Sequence, residues 1–153
     1  QLSAHGFQRY ETSAYAQKAH QAQHNLNYWQ FGDYLGIGAG AHSKLSFHDK
    51  IIRQSRHKHP QEYMKRILNQ QQILENTVIQ KSDLSLEFMM NALRLTNGFS
   101  NHLFSETTRI TNSQILPQLL SAQQQGFLEL TPTKIIPTEQ GRDFLNNLLE
   151  IFM

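Results

Sequence analysis

Three short stretches gather residue types that can do chemistry. His24-Asn25-Leu26-Asn27-Tyr28-Trp29 packs an imidazole, two amides, a phenol and an indole into six residues. A large planar ligand would suit such a set, because aromatic rings give a stacking surface and a neutral imidazole can ligate iron. The same residues would equally form a buried polar turn that pins a loop on the core. Gly36-Ile37-Gly38-Ala39-Gly40-Ala41-His42-Ser43 is the second stretch. Its glycines admit the close approach of a ligand or of a second backbone. It is not a dinucleotide fingerprint, since the third glycine is misplaced and no helix clearly follows. A strand end packed on its own domain is the plainer reading. His57-Lys58-His59-Pro60 has metal-binding residue types, but in a polar stretch it reads first as a solvated loop.

Bulk properties limit what these stretches can be part of. The 153 residues suffice for one domain, or for a small domain with a piece of another. There is no cysteine, which excludes disulfides, thiol catalysis and the thiolate ligands of an ordinary iron–sulfur cluster. The net charge is only +2, a weak basis for holding a phosphate backbone. No apolar run approaches the roughly 20 residues of a membrane span, and the amino terminus does not read as a secretory signal. The chain starts at Gln1 without an initiator Met, as an excised piece would.

The elements that must position the stretches differ along the chain. Residues 1–59 read as short strands. Gly6 to Thr12 alternates, Tyr34-Leu35-Gly36-Ile37-Gly38 reads as a buried strand, and Lys44–Phe47 with Lys50–Arg53 reads as a hairpin about His48-Asp49. Residues 60–80 read as a connecting helix opened by Pro60 and then a linker, with a boundary near residue 75. Residues 81–153 carry helical periodicity. A helix from Ser82 or Asp83 to Thr96 stops at Asn97-Gly98, and one capped by Asn112 stops at Gly126. A two-stranded wing spans Phe127–Ile136, and Thr138 caps a last helix. That order is winged-helix-like. It predicts burial of Leu93, Leu116, Leu119, Phe144 and Leu148.

A resemblance joins these stretches. Tyr10-Glu11-Thr12-Ser13-Ala14-Tyr15-Ala16, the His24–Trp29 block and Asp33 to Ser43 resemble the oxygen-independent coproporphyrinogen III oxidase-like family of radical SAM proteins. The likeness is greatest to its haem-chaperone branch. Leu93-Arg94-Leu95-Thr96-Asn97-Gly98 and Pro137-Thr138-Glu139-Gln140-Gly141 resemble that family's carboxyl-terminal domain. The family has a partial (β/α) barrel with a CxxxCxxC motif, a [4Fe–4S] cluster and S-adenosylmethionine, then a small helical or winged-helix-like domain. On that likeness the chain is a carboxyl-terminal part of α+β class: leftover barrel strands, then the small domain, without the amino-terminal barrel.

The resemblance also implies roles. Haem contact would fall to His24, Asn25, Tyr28 and Trp29, with His24 the one candidate ligand to iron. Gly38, Ala41 and His42 would lie on the S-adenosylmethionine side. A cysteine common before the His-Asn pair in the chaperone branch is Ala22 here, so no thiol acts at that position. The implied function is a cytoplasmic haem-binding chaperone that delivers haem to acceptor proteins. The alternative is oxidative decarboxylation of coproporphyrinogen III to protoporphyrinogen IX. A third, a nucleic-acid-binding winged helix, is disfavoured by the low net charge. The chain alone is expected to hold no catalytic residue and no cofactor. The parent would hold the cluster, S-adenosylmethionine and haem.

Overall fold

The computed structural model describes residues 1–71 and 73–153. Strands β1 (Gln8–Glu11) and β2 (Ala14–Ala16) form an antiparallel pair, and helix α1 (Gln23–Trp29) follows. Next come β3 (His42–Ser46), β4 (Ile51–Arg56), α2 (Pro60–Leu68) and β5 (Ile73–Val78). Helix α3 (Lys81–Ala92), β6 (Phe99–Ser100), α4 (Leu103–Thr108) and α5 (Leu116–Gln124) lead to β7 (Leu128–Leu130) and β8 (Lys134–Pro137). Helices α6 (Glu139–Asp143) and α7 (Leu145–Glu150) close the chain.

Two compact units result: residues 1–31 with 82–153, and residues 32–81. This division differs from the expected 1–59, 60–80 and 81–153. Residues 1–31 join the later segment through the backbone. Glu11 bridges Leu95, and the Thr96 amide and hydroxyl donate to the carbonyls of Tyr10 and Arg9 at 3.2 and 2.8 Å.

The first unit is built around α3. Asp83 lies in its first turn, where a carboxylate complements the helix dipole. Leu84, Phe88, Met89 and Ala92 are its buried face. The Phe88 ring meets Phe31, Phe99 and Phe104 edge to face, with centroids 5.7, 5.2 and 5.2 Å away. Phe31 holds φ of 60°, an uncommon conformation for a bulky residue, kept because its ring is buried in this cluster.

The helix stops at Ala92 rather than Thr96, because Leu95 leaves it to bridge β1. Gly98 turns the chain at φ 64°, and a Cβ there would lie 2.1 Å from the Ile135 carbonyl oxygen. The wing has three strands, not two, in the order β6-β8-β7. Thr138 caps α6 as expected, its hydroxyl accepting from the Gly141 amide at 3.0 Å.

Two burial expectations fail here. Phe144 is 56% exposed, because the last helix breaks at that residue, with φ −111° and ψ 44°. Leu116 is 47% exposed. Ile115, just before α5, and Leu119 and Ala122 on it turn inward instead, and Asn112 opens a separate 3-10 turn rather than capping the helix. Leu93, Leu119 and Leu148 are buried as expected. Leu119→Ala should therefore cost about 2–4 kcal/mol, and Leu116→Ala under about 1 kcal/mol, in urea unfolding followed by far-UV circular dichroism. Equal costs would overturn this facing of α5.

The second unit is the sheet β3-β4-β5 with α2. The expected hairpin is present: β3 and β4 pair from His42↔Ser55 to Ser46↔Ile51. The expected linker is in part a strand, since β5 pairs with β4 from Ile52↔Val78 to Arg56↔Ile73. The expected buried strand Tyr34–Gly38 is instead a surface loop. Only Tyr34 bridges the sheet, at Lys44, and Leu35 and Ile37 are 70% and 89% exposed. Gly38 at φ 103° cannot continue a strand.

Candidate functional site

Helix α1 splits its candidate residues between two faces. Residues four apart share a helix face, so His24 pairs with Tyr28 and Asn25 with Trp29. His24 and Tyr28 are on the exposed side. Among the described residues no hydrogen bond or ion pair engages His24. Asn25 and Trp29 are half-buried. The Asn25 amide donates to the Tyr10 hydroxyl at 3.2 Å.

Trp29 lies under a guanidinium. Arg94 sits 4.4 Å from the indole centroid, within cation–π range. Its Nη2 donates to Ser13 Oγ at 3.3 Å and stands 3.6 Å from Glu11 Oε2. Glu11 is almost fully buried, and its Oε1 accepts from the Ser13 amide and hydroxyl at 3.0 and 3.2 Å. Among the described residues, Glu11 Oε2, Trp29 Nε1 and Arg94 Nε are buried without a hydrogen-bond partner. Sequence reasoning did not single out Glu11 and Arg94. The available signal was Arg94 standing between Leu93 and Leu95, both buried in the structure.

The glycine loop belongs to the second unit. Its close approach is to its own chain, since a Cβ at Gly36 would lie 2.2 Å from the His42 carbonyl oxygen. The Gly36 amide donates to Ser43 Oγ at 2.9 Å and the Gly38 amide to the Tyr63 hydroxyl at 3.2 Å. The amides of Gly40 and Ala41 donate to the carbonyls of His57 and Gly38, and Arg56 Nε donates to the Gly36 carbonyl at 2.7 Å. The backbone donors of Gly38 and Ala41 are thus spent within the unit. His42 exposes its side chain and pairs with Ser55 in the sheet.

Beside this loop lies a buried cation that the sequence did not flag. Lys44 is 2% exposed, and its Nζ donates to Asp33 Oδ1 at 3.1 Å and Ser46 Oγ at 3.3 Å. Partial burial pushes the Asp33 carboxyl up. The amide and hydroxyl of Ser46 and the Lys44 ammonium outweigh that and hold it below the usual aspartate range.

The donor set limits what the chain can hold. Without cysteine it supplies no thiolate to an iron–sulfur cluster. Among the described residues no group of three or more His, Asp or Glu side chains could hold a metal ion. The exposed imidazole of His24, with an aromatic ring one turn on, has the chemistry to hold a group that takes a nitrogen ligand.

Residues 79–144 match the HemN C-terminal domain family. The heme chaperone HemW of Escherichia coli is 45% identical over 99% of this chain, a match that takes in 39% of that protein. Residues 79–144 thus belong to the HemN C-terminal domain family, and the whole chain is similar to HemW. HemW of Haemophilus influenzae is 42% identical, again over 99% of the chain and 39% of its own length. The chain therefore spans about two-fifths of the length of the curated HemW relatives it matches. The solved structure of coproporphyrinogen III oxidase (HemN) from Escherichia coli, described as a radical SAM enzyme, superposes with a TM-score of 0.65. It is 15% identical and covers 99% of this chain and 38% of its own. That likeness supports the α+β HemN fold. The HemN C-terminal domain match takes in α3 to α6, and Arg94 with them, whereas α1 and the glycine loop precede it.

Proposed function

We propose that this chain supplies the haem-binding face of a haem chaperone. The observation that carries the reading is the 45% identity, along nearly the whole chain, to a protein named as a heme chaperone. The geometry is compatible with it. His24 offers an unengaged imidazole to iron, and Tyr28 flanks it on the same exposed face of α1. Asn25 and Trp29 serve from beneath, through Tyr10 and Arg94. In this reading haem passes to acceptor proteins in the cytoplasm. A [4Fe–4S] cluster and S-adenosylmethionine belong to the longer protein, with Gly38, Ala41 and His42 on the cofactor's side. The oxidase alternative draws on the 15% identical HemN structure and on the HemN C-terminal domain match, with no oxidase at comparable identity beside them.

The test is a haemin titration of the longer protein that carries this chain and of its His24→Ala form, read in the Soret band, with a melting curve for each. His24 is exposed and unengaged, so its removal should leave the melting temperature within about 2 °C. Haemin affinity should fall at least tenfold, about 1.4 kcal/mol, with altered bands. Equal affinity and equal spectra would remove His24 as a ligand.

A further inference from the structure

We infer that Glu11 and Arg94 are positioning residues for the haem face of α1, acting through Trp29; this rests on the haem reading of that helix. Helix α1 has seven residues and no side-chain cap at its start. A helix that short is marginal by itself in water. Its orientation must come from what its inward face touches. That face offers Asn25 and Trp29, held by the Tyr10 hydroxyl and by the Arg94 guanidinium.

Arg94 is in turn held from one side. Ser13 and Glu11 engage its Nη2, while its central carbon lies over the indole, 4.4 Å from the ring centroid. A planar guanidinium can stack on a ring and pair with a carboxylate together. Lysine, a compact point charge, does so poorly. The chain from Glu11 through Arg94 to Trp29 fixes which way α1 rolls, and so fixes where His24 and Tyr28 project. A cluster selected for stability alone would pair its buried polar atoms. Here Glu11 Oε2 meets Arg94 only as a 3.6 Å ion pair, and among the described residues Trp29 Nε1 and Arg94 Nε have no hydrogen-bond partner, as in a cluster that holds a geometry.

Removing Arg94 alone would strand a buried carboxylate, so the informative variant is Glu11→Gln with Arg94→Met. Leu119→Ala, buried on α5 and outside this cluster, serves as the control for general destabilisation. Three readouts apply where all forms are folded: emission of Trp29, the only tryptophan in the chain, amide exchange over residues 23–29, and haemin affinity. The double variant should shift the emission, speed α1 exchange at least tenfold and weaken haemin at least tenfold. Leu119→Ala should leave the emission and haemin affinity unchanged and speed exchange no more in α1 than in the rest of its unit, and Arg94→Lys should fall between. Wild-type haemin affinity in the double variant, or an equal loss in Leu119→Ala, overturns the inference even where His24→Ala sustains the haem reading. If the unaltered chain takes up no haemin, haemin affinity is compared in the longer protein that carries it, where wild-type affinity in the double variant overturns the inference. Exchange over α1 then decides whether Glu11 and Arg94 position the helix, and unchanged exchange in the double variant overturns that too.

Discussion

Phe88→Ala should cost about 3–5 kcal/mol of folding stability. The side chain has no exposed surface and meets three other rings edge to face. Each such pair adds about 0.5–1.5 kcal/mol beyond the area buried. The four rings come from separate parts of the sequence: Phe31 after α1, Phe88 on α3, Phe99 on β6 and Phe104 on α4. Truncation opens a cavity where residues 1–31 meet residues 82–153. It should therefore lower the protection of α1 amides along with the global stability. Phe88→Leu keeps most of the volume and loses the ring edges, so about 1–2 kcal/mol is expected. Urea unfolding monitored by circular dichroism measures both. A cost below about 1.5 kcal/mol for Phe88→Ala would mean that the rings do not converge in solution.

The sequence carried the carboxyl-terminal half well. Gly98 and Gly126 stop the chain where turn chemistry requires, both at positive φ, and Thr138 caps where its spacing says. What misled was facing. Leu116 and Leu119 both fit a helical stripe, but the stripe is narrow and turns on Ile115 and Ala122, so one leucine stays outside. A break at Phe144 re-aims a side chain that an unbroken helix would have buried. The strand at Ile73–Val78 went unread because the glutamine run before it looked like linker, and its pairing partner β4 lies well upstream. Long-range pairing of that kind leaves little local trace.

The candidate site was legible as a list of residues but not as an arrangement. The six residues of the His24–Trp29 block suggested one surface, yet a helix of that length has two. The structure puts His24 with Tyr28 on one face, and Asn25 with Trp29 on the other. No spacing rule could supply the partner of Trp29, since Arg94 lies 65 positions on. The resemblance of Leu93 to Gly98 marked the segment, while the role of its arginine depends on a contact that only folding makes.

Asp33→Ala should cost about 3 kcal/mol at neutral pH, because it removes the carboxylate that the nearly buried Lys44 ammonium meets at 3.1 Å. Breaking a fully buried pair costs about 3–5 kcal/mol. Here the lower end applies, since the Asp33 side chain is 44% exposed and water can reach the gap. Ser46 Oγ remains as an acceptor for Lys44, but a hydroxyl does not neutralise charge. Lys44→Met in the Asp33→Ala background should recover most of the loss, because an apolar side chain of similar length suits a 2% exposed position. The cycle of both single variants and the double isolates the coupling.

The pH dependence has a definite sign. The Asp33 carboxyl titrates below its ordinary value in the folded chain, so the folded state holds fewer protons than the unfolded state just below pH 4. The pair's contribution is complete above that point and is lost as the pH falls through the lowered value. The gap between wild type and Asp33→Ala should thus hold steady from pH 7 to about 5 and narrow below about 4. A gap that widens on acidification, or a Lys44→Met substitution that fails to rescue Asp33→Ala, would show that Lys44 does not depend on Asp33 for its burial.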